Sequence, residues 1–312
     1  MIGGPGWAVN GDQETIAVVV VTYHSEAVLP ELLDSLGPGL AGLSWHLTIA
    51  DNSADPAALA TLRRLAPTAR IVDLGRNAGY AAGINAAVAA AAAYTAILVL
   101  NPDVRLAPRC GPELLSVLRR TGAGIAVPRL ERADGSALAS LRREPTLLRA
   151  LGDAVLGGHR AGRLSLGELV LGERHYRTES TADWATGAAM LIAAECWRRC
   201  GPWDESFFLY SEETDFALRA RDAGLATVLA PGARAVHLEG DSKRSPWLWT
   251  LLTLNRIRLY RRRHRLGPVL AYWAVLLLRE VSRAATGNPA SRAAAAALLR
   301  PSRLRATPGP RG

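Results

Sequence analysis

Short apolar runs and longer amphipathic stretches alternate along the first hundred residues. Each run is rich in Val, Ile or Leu, as is typical of strands that are buried on both faces of a parallel sheet. Strands are predicted at 16–22, 46–51, 69–75 and 96–101, and helices at 25–36, 55–66 and 79–94. This alternation predicts an α/β sheet built from βαβ units, with ligands bound beyond the carboxyl ends of the strands.

The pattern becomes less regular further along the chain. Further elements are predicted at 108–120 (helix), 124–128 (strand), 187–193 (strand) and from Ala194 (helix), with two short strands within 225–240. Residues 129–181 lose periodicity and are rich in Arg, Gly and Leu, so we expect an irregular, partly mobile insertion. The first helix is expected to begin with Ser25 as its N-cap and to end at 37–39.

Polar residues mark the ends of the predicted strands. Thr22 and Asp51 end the first two strands, Arg76 and Asn77 follow the third, and Asp103 follows the fourth. Because the carboxyl ends of parallel strands meet at one edge of a sheet, we expect these five side chains to converge.

Asp103 is a candidate metal ligand. It follows an apolar strand in the sequence Asn-Pro-Asp, where Pro102 fixes the turn. Mg²⁺ is often held by one or two carboxylates, with substrate phosphate oxygens completing its shell, so one Asp beside a diphosphate is sufficient. His237 adds an imidazole ligand if its strand end lies beside Asp103. The alternatives are an ordinary Asn-Pro-Asp turn and a histidine satisfied within the core.

The stretch LGRNAGYAAGIN, residues 74–85, follows the third strand. Its glycines are not spaced as G-x-G-x-x-G, so it carries no dinucleotide fingerprint. Small residues such as Gly79 still let the backbone approach a nucleotide, with Arg76 near phosphate and Asn77 making polar contacts. The alternative is helix capping with tight packing of a helix on the sheet.

Charge is distributed unevenly along the 312 residues. The chain has 37 basic and 28 acidic residues, a formal net charge of +9. From Lys243 onward there are 15 Lys or Arg and one acid, Glu280, whereas residues 1–242 have a net charge of −5. A basic tail attracts phosphate, in nucleic acid or at an anionic membrane surface. The Trp, Tyr and Leu residues among these arginines favour the membrane, and no nucleic-acid partner is expected.

A helix that starts near residue 246 is the predicted membrane contact. On a helical wheel one side carries Trp249, Leu252, Leu259 and Tyr260, and the opposite side carries Arg258, Arg261, Arg262 and Arg265. Arg256 and Arg263 break this pattern, and a pair of helices packed on the domain is an equal alternative.

The apolar run 268–278 is too short to cross a bilayer core of about 30 Å. Without a visible signal peptide or disulfide framework, we expect a cytoplasmic protein, peripheral on the inner face of the cell membrane.

Seven motifs occur in order along residues 14–245. They read VVVVTYHSE, IADNSADP, GRNAGYAAGIN, LVLNPDV, WATGAAMLI, CGPWDESFFLYSEETDFALRARDAG and VHLEGDS. Together they resemble the inverting family 2 glycosyltransferases, especially the bacterial rhamnosyltransferase-like branch. The resemblance implies an α/β GT-A nucleotide-diphospho-sugar transferase fold: a mixed, mostly parallel central sheet flanked by helices, with a C-terminal helical extension. It also implies transfer of a sugar, with inversion, from a nucleoside-diphosphate sugar to a glycan or a lipid-linked cell-envelope acceptor.

The expected organisation follows from the motifs and the composition. It comprises a flexible N-terminus at 1–13, a catalytic domain at 14–242, a basic and aromatic helical extension at 243–299 and a disordered tail at 300–312. The irregular segment 129–181 is expected on the acceptor side of the catalytic domain, and the extension is expected to contact an anionic membrane.

The resemblance implies roles for matching residues. The nucleotide base and ribose are held by Thr22, Tyr23 and Asp51, and the nucleotide site is lined by Arg76, Asn77 and Gly79. The acceptor or donor-sugar side is bordered by Trp184, Thr186, Gly187 and Ala188. Asp103 is the metal-binding end of the family's DxD element and holds Mg²⁺ or Mn²⁺ with His237. Two departures are Asn101, in place of the first aspartate of that element, and His24, where asparagine is common.

The stretch FFLYSEETDFALR, residues 207–219, concentrates three carboxylates. By resemblance, Glu213 takes the second position of the family's Glu-Asp pair and is the general base, with Glu212 as the fallback or as a neighbour that orients it. Asp215 and Arg219 are four residues apart, which predicts an ion pair along one helix face. Glu213 is rotated by about 200° from Asp215 and is free to face the cleft. The alternative is an acid-rich helix start favoured by the helix dipole.

Three further alternatives concern activity. dTDP-rhamnose is the leading donor, ahead of UDP-galactofuranose and GDP-mannose. A nucleotidyltransferase would carry a Gly-rich basic loop after the first strand, and TYHSEAVLP has none. A non-catalytic, membrane-associated interaction protein on a degenerate transferase fold is kept open by Asn101 and opposed by Asp103, Glu213 and His237.

Overall fold

The computed structural model describes residues 14–238, 245–306 and residue 309. The predicted flexible N-terminus at 1–13 and the start of the predicted extension at 243–244 lie outside the described residues.

The strands form one large sheet and one small one. They are β1 (Thr15–Thr22), β2 (Ser44–Asp51), β3 (Arg70–Asp73), β4 (Ala96–Leu100), β5 (Val104–Leu106), β6 (Ile125–Glu131), β7 (Leu141–Arg142), β8 (Ser180–Ala182), β9 (Trp184–Ala185), β10 (Ala189–Ala193) and β11 (Thr227–His237). Nine of them form a sheet in the order β3-β2-β1-β4-β10-β6-β11-β5, with β8 paired to β11, and β7 pairs with β9. In the large sheet β5, β8 and β10 run opposite to the other six strands. The central sheet is therefore mixed and mostly parallel.

Helices cover both faces of this sheet. They are α1 (Leu29–Gly39), α2 (Pro56–Leu65), α3 (Tyr80–Ala90), α4 (Cys110–Thr121), α5 (Leu147–Leu156), α6 (Gly158–Arg163), α7 (Arg174–Arg177), α8 (Ala194–Cys200), α9 (Glu212–Asp222), α10 (Pro246–Arg263), α11 (Leu266–Ala285), α12 (Pro289–Leu298) and α13 (Pro301–Arg305), with a 3₁₀ turn at Glu205–Phe207. On one face α1, α2 and α4 share an apolar core with Ile16, Val18 and Val20. On the other, α3, α8 and α9 share a core with Val19 and Val21. This arrangement buries β1 on both faces, as its composition predicts.

Helix α1 differs from its prediction at its start. Ser25 is not its N-cap, because the Ser25 side chain bonds to the backbone of its own turn and the helix begins at Leu29. The helix ends at Gly39, within the predicted end at 37–39. A Cβ on Gly39 would lie 2.6 Å from the Cβ of Leu106, so this glycine also allows close packing on β5.

Strand β11 is one strand where the sequence predicts two. Pro231 and Gly232, a pair typical of turns, lie in its middle. The pairing of β11 with β6 is interrupted between Ala230 and Arg234 and then resumes, so residues 231–233 form a bulge. The strand ends at His237, as predicted.

About half of residues 129–181 lie in helices or strands, so the segment is more regular than predicted. They contain the end of β6, then β7, α5, α6, α7 and β8. Arg143 ties the segment together by donating to the carbonyl oxygens of Gly167 and Leu169 at 3.2 and 2.8 Å. The apolar pattern is weak here because the helices are short and α5 packs on α11, far away in the sequence.

The C-terminal helices pack on the catalytic domain and on each other. Arg263 of α10 binds Asp222 at 2.7 Å and Glu144 at 3.2 Å. For α10, the structure therefore shows the packed alternative that the sequence left open. Helix α13 also corrects the predicted disorder for residues 301–305, since Pro301 occupies a first-turn position that favours helix formation. Within the described part of the chain, no helix is long and apolar enough to cross a membrane.

Candidate active site

Thr22 and Asp51 lie side by side at the carboxyl ends of β1 and β2. They are register partners, and the Thr22 hydroxyl donates to Oδ1 of Asp51 at 3.0 Å. The Ser53 hydroxyl donates to the other carboxylate oxygen at 2.5 Å. Both residues are almost fully buried, so the carboxylate has a fixed orientation. Its remaining lone pairs can accept hydrogen bonds from ligand hydroxyl or amide groups.

Tyr23 and Arg76 are exposed at the same edge of the sheet. The Tyr23 ring meets His24 edge-on, with ring centroids 4.7 Å apart. Arg76 makes no hydrogen bond or ion pair with other residues that the structure describes. An exposed aromatic ring can stack on a nucleobase, and an unpaired guanidinium can bind phosphate.

Gly79 brings the loop after β3 against the segment before α9. Its φ is +95°, and a Cβ there would lie 2.4 Å from the carbonyl oxygen of Phe208. The next amide, that of Tyr80, donates to this oxygen at 2.6 Å. The Asn77 side chain accepts from the Gly79 amide at 3.2 Å and so fixes the turn. Gly79 is therefore required for packing, whatever its contact with a nucleotide.

Asp103 and His237 meet at the edge formed by β5 and β11. Nε2 of His237 lies 3.3 Å from Oδ1 of Asp103, and both side chains are mostly buried. Burial opposes ionisation of Asp103, but the hydrogen bond and the electrostatic attraction of His237 outweigh it, so the pKa of Asp103 lies below its usual range. The predicted contact between these two residues is present.

The pair fits a divalent cation only together with ligand oxygens. Among the described residues, no three His, Cys, Asp or Glu side chains come together to hold a metal. An ionised carboxylate and an imidazole can still bind Mg²⁺ or Mn²⁺ when phosphate oxygens and water fill the other positions. Asn101 is engaged elsewhere, because its side-chain oxygen lies 2.9 Å from the Tyr80 hydroxyl.

Tyr80 connects the two sides of the site, although no role was predicted for it from the sequence. Its hydroxyl lies 2.9 Å from Oδ1 of Asn101 and 3.2 Å from the carbonyl oxygen of Gly187. Burial raises the pKa of Tyr80 well above its usual value, and nearby carboxylates raise it further. Those carboxylates belong to Glu212, Glu213 and Asp103. Tyr80 therefore remains protonated between the metal-binding side and the glutamates.

Glu212 and Glu213 begin helix α9 and are the two candidate bases. Glu212 is 2% exposed, whereas Glu213 is partly exposed. In each, Oε2 is buried and has no hydrogen-bond partner among the described residues. Burial raises the pKa of Glu213, and burial together with the charge of Glu213 raises that of Glu212 well above its usual value. A carboxylate with a free oxygen and a raised pKa is suited to accept a proton, and Glu213 is the more accessible of the two.

Backbone strain is concentrated immediately before these glutamates. Phe208, Tyr210 and Ser211 have φ angles of +64°, +70° and +76°, although none is glycine. Such conformations cost of the order of 1–3 kcal/mol each and persist only where surrounding structure holds them. The segment that leads into the candidate base therefore depends on support from elsewhere in the fold.

Asn255, in the middle of α10, provides that support. Its side chain is fully buried, and its Nδ2 donates to the carbonyl oxygens of Phe207, Leu209 and Tyr210 at 2.8, 2.8 and 3.0 Å. Arg258 donates to Oδ1 of Asn255 at 2.5 Å and fixes the orientation of the amide. No role was predicted for Asn255 from the sequence, although a single amide within an apolar and basic helix was an available signal. The C-terminal extension thus supports the site directly.

Thr186, Gly187 and Ala188 form a wall of the site beside α9. A Cβ on Gly187 would lie 3.4 Å from the Cβ of Glu213, so this wall faces the candidate base. Ala188 is buried, and its carbonyl oxygen accepts from the Asn101 amide at 2.8 Å. The Thr186 amide donates to a backbone carbonyl just before β7 at 3.1 Å.

Trp184 and Arg142 continue this wall on the paired strands β7 and β9. The Arg142 guanidinium lies 5.8 Å from the centroid of the Trp184 ring, and the Trp184 indole donates to the Arg143 carbonyl oxygen at 3.0 Å. Burial raises the pKa of Glu213, and the positive charge of Arg142 opposes that rise. No role was predicted for Arg142, because it lies in the segment whose sequence shows no apolar periodicity.

Asp215 has a structural role. Its Oδ2 lies 2.8 Å from Nε of Arg219, which confirms the ion pair predicted from the spacing. Arg219 also donates to the carbonyl oxygen of Pro202 at 3.1 Å. Of the three carboxylates in the acidic stretch, Asp215 therefore anchors α9. The two glutamates are left as candidates for the general base.

Comparisons with known sequences show which proteins this chain is similar to. Residues 17–165 match the family model described as Glycosyl transferase family 2. The chain is 28% identical over 240 residues to the N-acetylglucosaminyl-diphospho-decaprenol L-rhamnosyltransferase of Mycobacterium tuberculosis, over 73% of this chain and 78% of that protein. It is also 28% identical over 230 residues to the low-salt glycan biosynthesis hexosyltransferase Agl10 of Haloferax volcanii, over 72% of this chain and 67% of that protein.

Solved structures share the fold. The mannosyltransferase PcManGT from Pyrobaculum calidifontis, in complex with GDP-Man and Mn²⁺, matches with a TM-score of 0.56 and 15% identity, over 94% of this chain and 83% of that one. GalNAc-T7 with UDP, GalNAc and Mn²⁺ matches with a TM-score of 0.54 and 12% identity, over 72% of this chain and only 43% of that one. At these identities the likeness shows the GT-A fold alone. The sequence matches show that residues 17–165 resemble the family 2 glycosyltransferases and that the chain is similar to members of their rhamnosyltransferase-like branch.

Proposed function

We propose that this enzyme transfers rhamnose from dTDP-rhamnose, with inversion, to a glycan or lipid-linked acceptor of the cell envelope. The observation that carries the proposal is the contact chain through Tyr80. It links Asn101, two residues before Asp103, to Gly187, which adjoins Glu213. A carboxylate fit for a metal–diphosphate complex and a candidate base thus lie on two sides of one tyrosine.

Glu213 is the proposed general base. In an inverting transfer the acceptor hydroxyl attacks the anomeric carbon from the face opposite the nucleoside diphosphate, and its proton must leave as the new bond forms. Glu213 receives that proton on its unpartnered oxygen. Burial raises the pKa of Glu213 towards neutral pH, the range in which a general base is most effective. Burial and the charge of Glu213 raise the pKa of the neighbouring Glu212 well above its usual value, so Glu213 is the member of the pair that ionises first.

Asp103 and His237 are the proposed protein ligands of Mg²⁺ or Mn²⁺. The cation, when bound with the donor, neutralises negative charge on the leaving diphosphate. Asp103 contributes an ionised carboxylate, since its pKa lies below its usual range, and His237 orients that carboxylate at 3.3 Å. Arg76, exposed at the same edge of the sheet, is placed to pair with phosphate oxygens.

The nucleoside is proposed to bind at the ends of β1 and β2. Asp51 accepts hydrogen bonds from the base or ribose, and Thr22 keeps its carboxylate in place at 3.0 Å. The exposed Tyr23 ring stacks on the base. Asn77 and Gly79 shape the loop on which the nucleotide lies, through the hydrogen bond between them.

The donor and acceptor are proposed from the relatives. The mycobacterial relative is named as an L-rhamnosyltransferase that acts on a decaprenol-linked substrate, which favours dTDP-rhamnose and a lipid-linked acceptor. The complex of PcManGT with GDP-Man keeps GDP-mannose as an alternative, alongside UDP-galactofuranose. Trp184 and Thr186, on the wall facing Glu213, are proposed to contact the acceptor or the transferred sugar.

A lipid-linked acceptor implies a membrane surface, so we place this enzyme on the cytoplasmic side of the cell membrane as a peripheral protein. The net charge of +14 from residue 243 onward supports attraction to anionic lipid. Removing the extension would not test this cleanly, because Asn255 supports the segment before Glu213.

A screen of nucleotide sugars tests the proposed function. The full chain is incubated with dTDP-rhamnose, UDP-galactofuranose and GDP-mannose, each with and without Mg²⁺ or Mn²⁺, and binding and donor hydrolysis are measured. We expect dTDP-rhamnose to be preferred and the metal to strengthen binding. Preference for another donor would reassign the substrate, and no response to any donor would contradict the proposal.

A further inference from the structure

Large apolar side chains are exposed mainly on one part of the molecule. In the described chain, nine of the thirteen exposed large hydrophobic side chains lie on α5, on α11 or in the turn after α6. They are Leu148, Leu151, Val155, Leu164, Leu166, Leu266, Leu270, Leu278 and Val281, and we call this set the α5–α11 face. The most exposed, Leu148, has 78% of its surface accessible. Exposed apolar residues scattered singly need no explanation, but a concentrated set indicates a binding surface.

The elements that carry this face are in contact. Helix α5 packs against α11, and the backbone at Leu166 lies directly over Gly152 of α5, where a Cβ would be 2.4 Å from the Leu166 carbonyl oxygen. On α11 the exposed leucines 266, 270 and 278 are separated by multiples of four and share one side of the helix with exposed Ala274. The result is an outward apolar stripe on a 20-residue helix whose other side is buried.

Charges are segregated around the face. The exposed charged residues within 147–167 and 265–285 are Arg160, Arg163 and Arg265, and none is acidic. The acids of these elements point inwards: Asp153 is buried, and Glu280 is fully buried and bound by Arg279 at 2.7 Å. The apolar face therefore has a wholly basic margin.

We propose that the α5–α11 face is the surface on which this enzyme lies on an anionic lipid bilayer. Its leucines enter the boundary between head groups and acyl chains, and Arg160, Arg163 and Arg265 bind lipid phosphates at the margin. This inference rests on the proposed action on a lipid-linked acceptor and says which surface meets the membrane. The sequence predicts that α10 contacts the membrane. In the structure, arginines of α10 bind in part to acidic residues of the catalytic domain, as Arg263 does.

The face also lies near the acceptor wall. Helix α5 begins at Leu147, five residues after Arg142, so even a fully extended chain keeps its start within about 18 Å of Arg142. Arg142 stands against Trp184, on the wall that leads to Glu213. A bilayer on the α5–α11 face would thus present lipid-linked sugars close to the acceptor wall.

A second copy of the chain is a poorer occupant. In a two-fold interface the same patch faces itself, so the basic margins of both copies would meet with no exposed acid in the patch to pair with. An anionic bilayer supplies both the apolar interior and the opposite charge. The observations therefore favour lipid.

Vesicle binding by the full chain tests the proposal. Sedimentation with phosphatidylcholine vesicles, with or without phosphatidylglycerol, compares the wild type with the Leu270→Asp/Leu278→Asp variant. The control is Ala57→Asp/Ala60→Asp, which adds the same charge to exposed positions of α2. We expect binding to anionic vesicles only, weakened about tenfold or more in the leucine variant and little in the control.

Two further measurements fix the interpretation. Leu148→Asp, at the exposed end of α5, should also weaken binding, and thermal unfolding checks that each variant is folded. Light scattering measures association in solution. Unchanged vesicle binding by both leucine variants, an equal loss in the control, or a dimer that the leucine variant abolishes would overturn the proposal. Donor hydrolysis without vesicles is measured in parallel, so a failure of the proposed function, seen in the wild type, is distinguishable from a failure of membrane binding.

Discussion

The two sides of the active site are held in different ways. At the ends of β1 and β2, Thr22 and Asp51 are positioned by the register of adjacent strands and by a hydrogen bond between them. The strained segment before Glu213 is held instead by Asn255, from a helix outside the sheet. The nucleotide side is therefore built into the sheet, whereas the candidate base depends on a few tertiary contacts. Single substitutions should be able to separate the two.

The largest effect is expected from Glu213→Gln. The amide cannot accept the acceptor proton, so transfer should fall by about 10²- to 10⁴-fold while dTDP binding stays nearly unchanged. Initial rates and calorimetric binding measure the two effects separately. Glu212→Gln is the matched control and should lose less. A greater loss in Glu212→Gln would move the base to that residue.

Gly79→Ala should damage both sides together. The residue has a positive φ, and its new Cβ would meet the Phe208 carbonyl oxygen at 2.4 Å, so the free energy of unfolding should fall by about 3 kcal/mol or more. Gly75→Ala is the control. Gly75 also has a positive φ of +63° but has open space around it, so the cost should be about 1–2 kcal/mol. Equal losses in chemical denaturation would show that the Phe208 contact is unimportant.

Asn255→Asp should affect the base side alone. The change removes the donor from three carbonyl oxygens and places a carboxylate against them, so kcat should fall by about 10- to 100-fold through misplacement of Glu213. Nucleotide binding should be retained. Asn288→Asp is the matched control, since Asn288 only caps α12 and aspartate caps equally well. Loss of nucleotide binding in Asn255→Asp would contradict a separation of the two sides.

A smaller effect is expected at Arg142. Arg142→Met removes the charge that opposes the rise in the pKa of Glu213, so the acidic limb of the kcat/KM profile should shift to higher pH. In the wild type that limb should already lie above the usual pKa of glutamate, because burial raises the pKa of Glu213 and activity is lost as pH falls through it. Arg142→Lys keeps the charge and should leave the limb in place. A shift in both variants would assign Arg142 a steric role.

The same division describes what the sequence could predict. Apolar runs placed β1, β2 and β4 and their polar ends correctly, because a strand buried on both faces and its terminal side chain are local features. The Asp215–Arg219 pair was predictable for the same reason, since its spacing lies on one helix.

The missed residues act over long distances in the sequence. Asn255 lies 45 to 48 residues from the carbonyl groups that it binds, and Tyr80 lies 107 residues from Gly187. Arg142 belongs to a segment of short helices, of which α5 packs on the distant α11, so no periodic pattern marked it. Pro231 and Gly232 suggested a turn, but the neighbouring strand β6 kept β11 continuous around them.

The stereochemistry of transfer tests the central claim most directly. Proton NMR of the first product formed from dTDP-rhamnose gives the configuration at the anomeric carbon before any re-equilibration. A single displacement with Glu213 as base predicts inversion relative to the donor. Retention would contradict the account and would require a different role for Glu213.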